Sequence, residues 1–143
     1  MKDDVLKLEN QLCFSIYAAS RSITKIYRPF LEPLGLTYPQ YLVMLVLWEK
    51  ERVTLKEMGV LLHLDSGTLT PLLKRLESSS LIKRERSKED ERILWVSITE
   101  NGLDLKEQAL NIPICVLNSI NADFNLLYSL KQGLDQLLAG LNK

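Results

Sequence analysis

The sequence has a single histidine, His63, and two cysteines, Cys13 and Cys115, that lie far apart. One histidine leaves no spaced ligand set for a metal and almost nothing for Ser/His/Asp chemistry. Two distant cysteines do not make a disulfide framework, and a structural disulfide is not expected in a reducing compartment. Six glycines do not cluster into a phosphate-binding loop, and no nucleophile-elbow motif is present. No apolar run approaches the ~18 residues needed to span a bilayer, so no membrane partner is expected. Met1-Lys2-Asp3-Asp4 is not followed by a secretory apolar region, which predicts a cytoplasmic protein. Charge of either sign is not in excess: 18 Lys/Arg face 18 Asp/Glu. Enzymatic chemistry, cofactors and metals therefore have little support. Any nucleic-acid footprint has to be local rather than a global basic field.

With 46% hydrophobic and 25% charged residues, the 143-residue chain can bury a proper core. Residues 37–96 hold ten Lys/Arg against nine Asp/Glu, and residues 97–143 hold three against five. The middle is thus slightly basic and the tail slightly acidic.

The most informative stretch runs from Leu64 to Glu77. Leu69, Leu72, Leu73 and Leu76 fall on one helical face. Ser66, Thr68, Thr70, Lys74 and Arg75 remain for another face. Hydroxyls donate to phosphates and base edges, and Arg or Lys can donate to guanine acceptors in a major groove. The start of this helix is open. Thr70-Pro71 reads as a cap with proline at the first helical position, whereas Asp65 or Ser66 as cap would leave Pro71 inside.

The flanking elements give this helix a context. A long helix over 4–31 carries Leu6, Leu12, Phe14, Ile16, Ile23, Ile26, Tyr27 and Phe30 on more than one face, which suits packing against several elements or another subunit. Thr37-Tyr38-Pro39 opens a second helix over 38–50. Thr54 and Glu57 read as a capping box before a short helix through Met58, Leu61 and Leu62. A break at 63–66 then completes a helix-turn-helix. A strand from Leu81-Ile82 and another over Ile93–Ile98 enclose a charged tip and form a β-hairpin. That order of elements is a winged helix. Arg84, Arg86, Lys88 and Arg92 are candidates for phosphate or minor-groove contact, with Asp90 holding Arg92 by a salt bridge. Thr99 caps the next helix, which runs to about Leu110. Asp123 or Asn125 precedes a last amphipathic helix.

The expected fold class is mainly α (α+β): a winged helix-turn-helix DNA-binding lobe over 37–98. Residues 1–36 and 99–143 supply N- and C-terminal dimerisation helices of the same single domain. The end helices carry more apolar surface than so slim a monomer can bury. A two-fold dimer would present two recognition helices one DNA turn (~34 Å) apart to a palindromic double-stranded operator.

Four motifs point to a family. They are Leu8-Glu9-Asn10-Gln11-Leu12-Cys13-Phe14, Leu36-Thr37-Tyr38-Pro39-Gln40-Tyr41, the stretch from Leu64 to Arg75, and Asp90-Glu91-Arg92. Over nearly its whole length the chain resembles the MarR family of transcriptional regulators, and within it the organic-hydroperoxide sensors of OhrR type. The resemblance implies a dimeric repressor that releases DNA when a cysteine is oxidised by an organic hydroperoxide. Cys13 matches the family's peroxide-reactive cysteine, Tyr27 and Tyr38 match the tyrosines that hydrogen-bond to it, and Tyr17 is a third candidate. Arg92 matches the wing arginine. Some relatives resolve the oxidised cysteine with a second one, a role open to Cys115; others use a small cellular thiol.

A peroxide sensor reacts as a thiolate, and phenolic donors favour the anion. Cys13 and Tyr27 are 14 positions apart, ~21 Å along one helix, so Tyr27 can serve Cys13 only from the other protomer. Two other readings compete. One is a MarR-type repressor released by a small aromatic ligand, with Cys13 structural. The other is a thiol peroxidase, which has no use for a winged helix.

Overall fold

The computed structural model describes residues 2–141. In chain order the elements are α1 (Leu12–Leu31), α2 (Tyr38–Lys50), β1 (Arg52–Thr54), α3 (Leu55–Leu62), α4 (Ser66–Ser78), β2 (Ile82–Arg86), β3 (Leu94–Ile98), α5 (Glu100–Ala109), α6 (Ile112–Ser119) and α7 (Phe124–Leu141). They fall into two compact units, one ending at Ile112 and the other starting at Pro113.

The first unit is built around α2. Tyr41, Val43, Met44, Val46, Leu47 and Trp48 are all buried, so this helix is enclosed on nearly every side. Its start is a full capping box: Thr37 Oγ1 accepts from the Gln40 N–H, and Gln40 Oε1 accepts from the Thr37 N–H at 3.0 Å. The capping box expected at Thr54–Glu57 is only half made. Thr54 Oγ1 accepts from the Glu57 N–H at 3.1 Å, but Thr54 is also the last residue of β1, opposite Trp95.

Around α2 pack Met58 of α3, Leu69, Leu73 and Leu76 of α4, and Val53 and Val96 of the sheet, each nearly fully buried. Of the four leucines on the face read from sequence, Leu69, Leu73 and Leu76 are buried and Leu72 is half-buried. Each such side chain contributes roughly 1.5–3 kcal/mol on leaving water. The helix-turn-helix is tight. Leu64 N–H donates to the Gly59 carbonyl at 3.0 Å, and a Cβ on Gly59 would sit 2.7 Å from the Leu64 oxygen. Only glycine fits there without moving the turn.

The sheet is antiparallel in the order β1-β3-β2. β3 pairs Val96 with Val53 on one side and with Arg84 on the other. The hairpin is the expected wing. β1 was not expected: three residues are too few for an alternation to show, and their pairing with β3 joins positions far apart in sequence.

The long helix expected over 4–31 begins only at Leu12. Residues 2–10 form two 3₁₀ segments instead. Polar side chains hold this departure in place: Asn10 Nδ2 donates to the Asp4 carbonyl at 2.7 Å, and Gln11 Nε2 to those of Val5 and Lys7 at 2.8 Å. Amide side chains that bond nearby carbonyls compete with the helix, and Gln11 itself is extended. Of the 20 residues of α1 only Leu31 is buried.

The second unit holds α7, which has no buried residue and exposes Phe124, Leu126, Leu130 and Leu141. Among the described residues no single helix is long and apolar enough to cross a membrane.

Candidate nucleic-acid interface and cysteine site

The start of α4 is settled by Asp65. Its backbone is extended and its Oδ1 accepts from the Thr68 N–H at 2.7 Å. Hydrogen bonding to Thr68 holds the carboxyl below the usual carboxylate range, and a negative charge suits a helix N-terminus. Pro71 therefore lies inside α4, at the cost of one backbone bond. The alternative start at Pro71 is excluded.

Ser66, Thr68, Lys74 and Arg75 are exposed. Neither cation has an ion-pair partner among the described residues. Thr70 differs: it is half-buried, and its hydroxyl donates to the Ser66 carbonyl at 2.7 Å. Its proton is committed to the helix itself.

The wing tip is ordered by short-range bonds. Ser87 Oγ accepts from the N–H groups of Glu89 and Asp90, and Ile93 N–H donates to the Asp90 carbonyl at 3.0 Å. Arg92 forks onto Asp90, Nε to Oδ1 at 3.0 Å and Nη2 to Oδ2 at 3.2 Å, which is the expected pair. Arg92 pulls the Asp90 carboxyl below its ordinary range. Arg86 donates to the Glu91 carbonyl at 3.1 Å, and Lys88 is exposed. Arg86, Arg92, Lys56 and Ser66 rim a groove of about 750 Å³ between α3, the start of α4 and the wing.

Arg84 does not join this set. Its guanidinium donates to Glu77 Oε1 at 3.0 and 3.3 Å, and its backbone N–H to Glu77 Oε2 at 2.9 Å. Strand alternation accounts for this placement. Ile82, Arg84 and Arg86 share one face of β2, and Ile82 is buried on it, so Arg84 turns toward α4 rather than to solvent.

Cys13 is the second residue of α1 and is exposed. It lies in the first helical turn, where backbone N–H groups lack intrahelical acceptors and Gln11 supplies no side-chain cap. Tyr27 sits on the same helix, so within one protomer it cannot reach the thiol. The rings of Tyr27 and Tyr38 pack at 4.7 Å between centroids, tilted by 56°. Burial, with the neighbouring Tyr38, raises the pKa of Tyr27, and burial raises that of Tyr38. Both phenols keep their protons and remain donors. Tyr17 is not brought to this cluster: it is exposed, with Arg21 5.5 Å above its ring. Cys115, on α6, is a half-exposed free thiol.

Two ring contacts add to the residues expected from sequence. Tyr41 is buried against both tyrosines, at 5.6 Å from Tyr27 and 6.2 Å from Tyr38. Its position three residues after Tyr38 on a helix was a legible signal. Arg52 stacks on Trp95 at 3.9 Å, across a strand pair that sequence did not show.

A family model described as transcriptional regulator SarA/Rot matches residues 25–109. The organic hydroperoxide resistance transcriptional regulator of Bacillus subtilis is 53% identical over 142 residues, covering 99% of this chain and 97% of that protein. Among solved structures, reduced AbfR bound to DNA superposes with a TM-score of 0.81 at 39% identity, covering 100% of both chains. Disulfide-formed AbfR superposes at 0.66 with 40% identity, covering 96% of this chain and 97% of that one.

Proposed function

The chain belongs to the MarR family of transcriptional regulators, among its organic hydroperoxide resistance regulators, and from that premise we propose that it is a DNA-binding repressor switched by oxidation of Cys13. It acts as a homodimer in the cytoplasm, as a regulator and not an enzyme. Residues 37–98 form the DNA-binding lobe, and residues 1–36 with 99–143 form the dimer. Support for the dimer comes from α1 and α7, whose apolar side chains stay largely uncovered in one protomer.

On the operator, α4 enters the major groove with Ser66, Thr68, Lys74 and Arg75, while Arg86, Lys88 and Arg92 of the wing meet phosphates or the minor groove. Asp90 aims Arg92 rather than touching DNA, since an anion facing phosphate is repelled.

The observation that carries the switch is the separation of thiol and phenols. Cys13 stands exposed at one end of α1, and Tyr27, with Tyr38 packed on it, at the other. In a dimer whose α1 helices cross antiparallel, each Cys13 meets the other protomer's protonated phenols, which donate to the thiolate. That thiolate attacks one peroxide oxygen. The O–O bond breaks, an S–O bond forms, the alcohol leaves with a proton, and the sulfur has lost two electrons to the peroxide. A second thiol then displaces water from the sulfenic acid and closes a disulfide. Cys115 of the other protomer supplies that thiol, with a small cellular thiol as the competing source. Either adduct repacks the dimer helices and alters the spacing of the two α4 helices, and operator affinity falls.

The test is a gel shift on DNA from the gene's own upstream region, with and without cumene hydroperoxide. The expected result is release of DNA by the native protein and retention by Cys13→Ser. Release from Cys13→Ser would instead favour a small aromatic ligand acting in the dimer cleft.

A further inference from the structure

We infer that Glu77 and Arg84 form a positioning pair that sets the wing at a fixed angle to the recognition helix, and that Arg84 is not a phosphate contact. The inference rests on the DNA-binding reading above. Glu77 is the penultimate residue of α4 and Arg84 the middle residue of β2. Both carboxylate oxygens are used: Oε1 takes two guanidinium N–H bonds and Oε2 takes the backbone N–H of Arg84. Three bonds from one carboxylate fix orientation as well as distance, since a fork and a strand amide cannot be met together at another angle.

Exposure separates the two roles. The Arg84 side chain is 21% exposed, while that of Arg92 is 90% exposed. A phosphate contact has to project, and Arg84 is held back against α4. The order β1-β3-β2 makes β2 an edge strand. Its outward amide at Arg84 would otherwise be open, and Glu77 closes it.

The position of the brace gives it consequence. Two residues beyond Arg84 on the same strand face, Arg86 reaches the groove that it rims with Arg92 and Ser66. The brace thus lies between the leucine-anchored part of α4 and the part of the wing that faces DNA. Helix and wing engage adjacent grooves together only if the angle between them suits the duplex. Losing the pair should cost operator recognition while leaving the number of phosphate contacts unchanged. Lysine at 84 lacks the planar fork and should not restore it.

The experiment uses the full-length reduced protein and fluorescence anisotropy across a salt series, on the upstream duplex and on a scrambled duplex of equal length. The variants are Glu77→Gln, Arg84→Met, Arg84→Lys and the Glu77→Gln/Arg84→Met double, with Arg92→Met as the comparison. Circular dichroism and melting curves set an assay temperature at which every variant is folded. The expected result is a roughly five- to tenfold loss of operator affinity in each Glu77 or Arg84 variant, with the double losing no more than the singles. Scrambled-duplex affinity and the salt slope stay at their native values, whereas Arg92→Met lowers the slope by about one. A slope lowered by about one in Arg84→Met, with scrambled-duplex binding weakened alongside, would make Arg84 a phosphate contact and overturn the inference. Native operator affinity in Glu77→Gln would overturn it equally. Failure of the native protein to prefer the upstream duplex would remove the DNA-binding reading, and the inference with it; normal preference with an unaffected Glu77→Gln removes the inference alone.

Discussion

The indole Nε1–H of Trp48 donates to the backbone carbonyl of Gly102 at 2.8 Å, in a buried bond between residues 54 positions apart. It ties the last full turn of the core helix α2 to the first turn of α5. Trp48→Phe keeps the apolar body and removes the indole donor, leaving the Gly102 carbonyl with its helical bond alone. The expected cost is about 0.5–1.5 kcal/mol, read as a lower urea midpoint with an unchanged m-value.

Gly102 is also the point where α5 approaches the turn before β2 and the end of β3. A Cβ there would lie 2.4 Å from the Leu81 carbonyl oxygen and 2.7 Å from Ile98 Cγ1. Backbone cannot yield as a flexible side chain does. Gly102→Ala should destabilise the fold by about 1–3 kcal/mol, and chemical denaturation measures it.

The turn from α4 into β2 calls for the opposite substitution. Ser80 has φ of 63°, a left-handed conformation that strains an L residue. Its N–H bonds the Glu77 carbonyl at 2.9 Å, and the following Leu81 N–H bonds that of Leu76 at 3.0 Å. Ser80→Gly keeps these bonds and relieves the strain. An increase of about 0.5–1 kcal/mol in stability is expected, seen as a higher melting midpoint.

The tyrosine cluster predicts an alkaline transition. Burial, with Tyr27 and Tyr38 beside it, pushes Tyr41 from 10.0 up to about 12. A raised folded-state value means that the unfolded chain gives up its proton first. The contribution is complete below about pH 10 and falls as pH rises through the window to about 12. Melting curves from pH 9 to pH 12 should show this loss, and Tyr41→Phe should flatten the pH dependence above 10.

Cys115 is tested by its absence. After organic hydroperoxide, the native protein should run as a crosslinked dimer on non-reducing electrophoresis, while Cys13→Ser and Cys115→Ser should both run as monomer. A native protein that stays monomeric on the gel removes Cys115 from the mechanism.

The local elements of this protein are written in short-range sequence. The leucines at 69, 72, 73 and 76 mark the buried face of α4, Thr37 and Thr99 mark helix starts, and the hairpin from 82 to 98 is legible in its alternation. The Asp90–Arg92 pair spans two positions and could be anticipated as readily. What only the tertiary structure decided involves groups that meet from distant positions. Arg84 looked like one more wing cation until packing of β2 against α4 set Glu77 beside it. Tyr41 joined Tyr27 only when α1 folded back on α2, and β1 exists only because β3 returns to pair with it. Periodicity and capping act within a few residues and can be read from a list of side chains. Which charge is spent on a neighbour and which is left for DNA depends on contacts that form when the chain closes on itself.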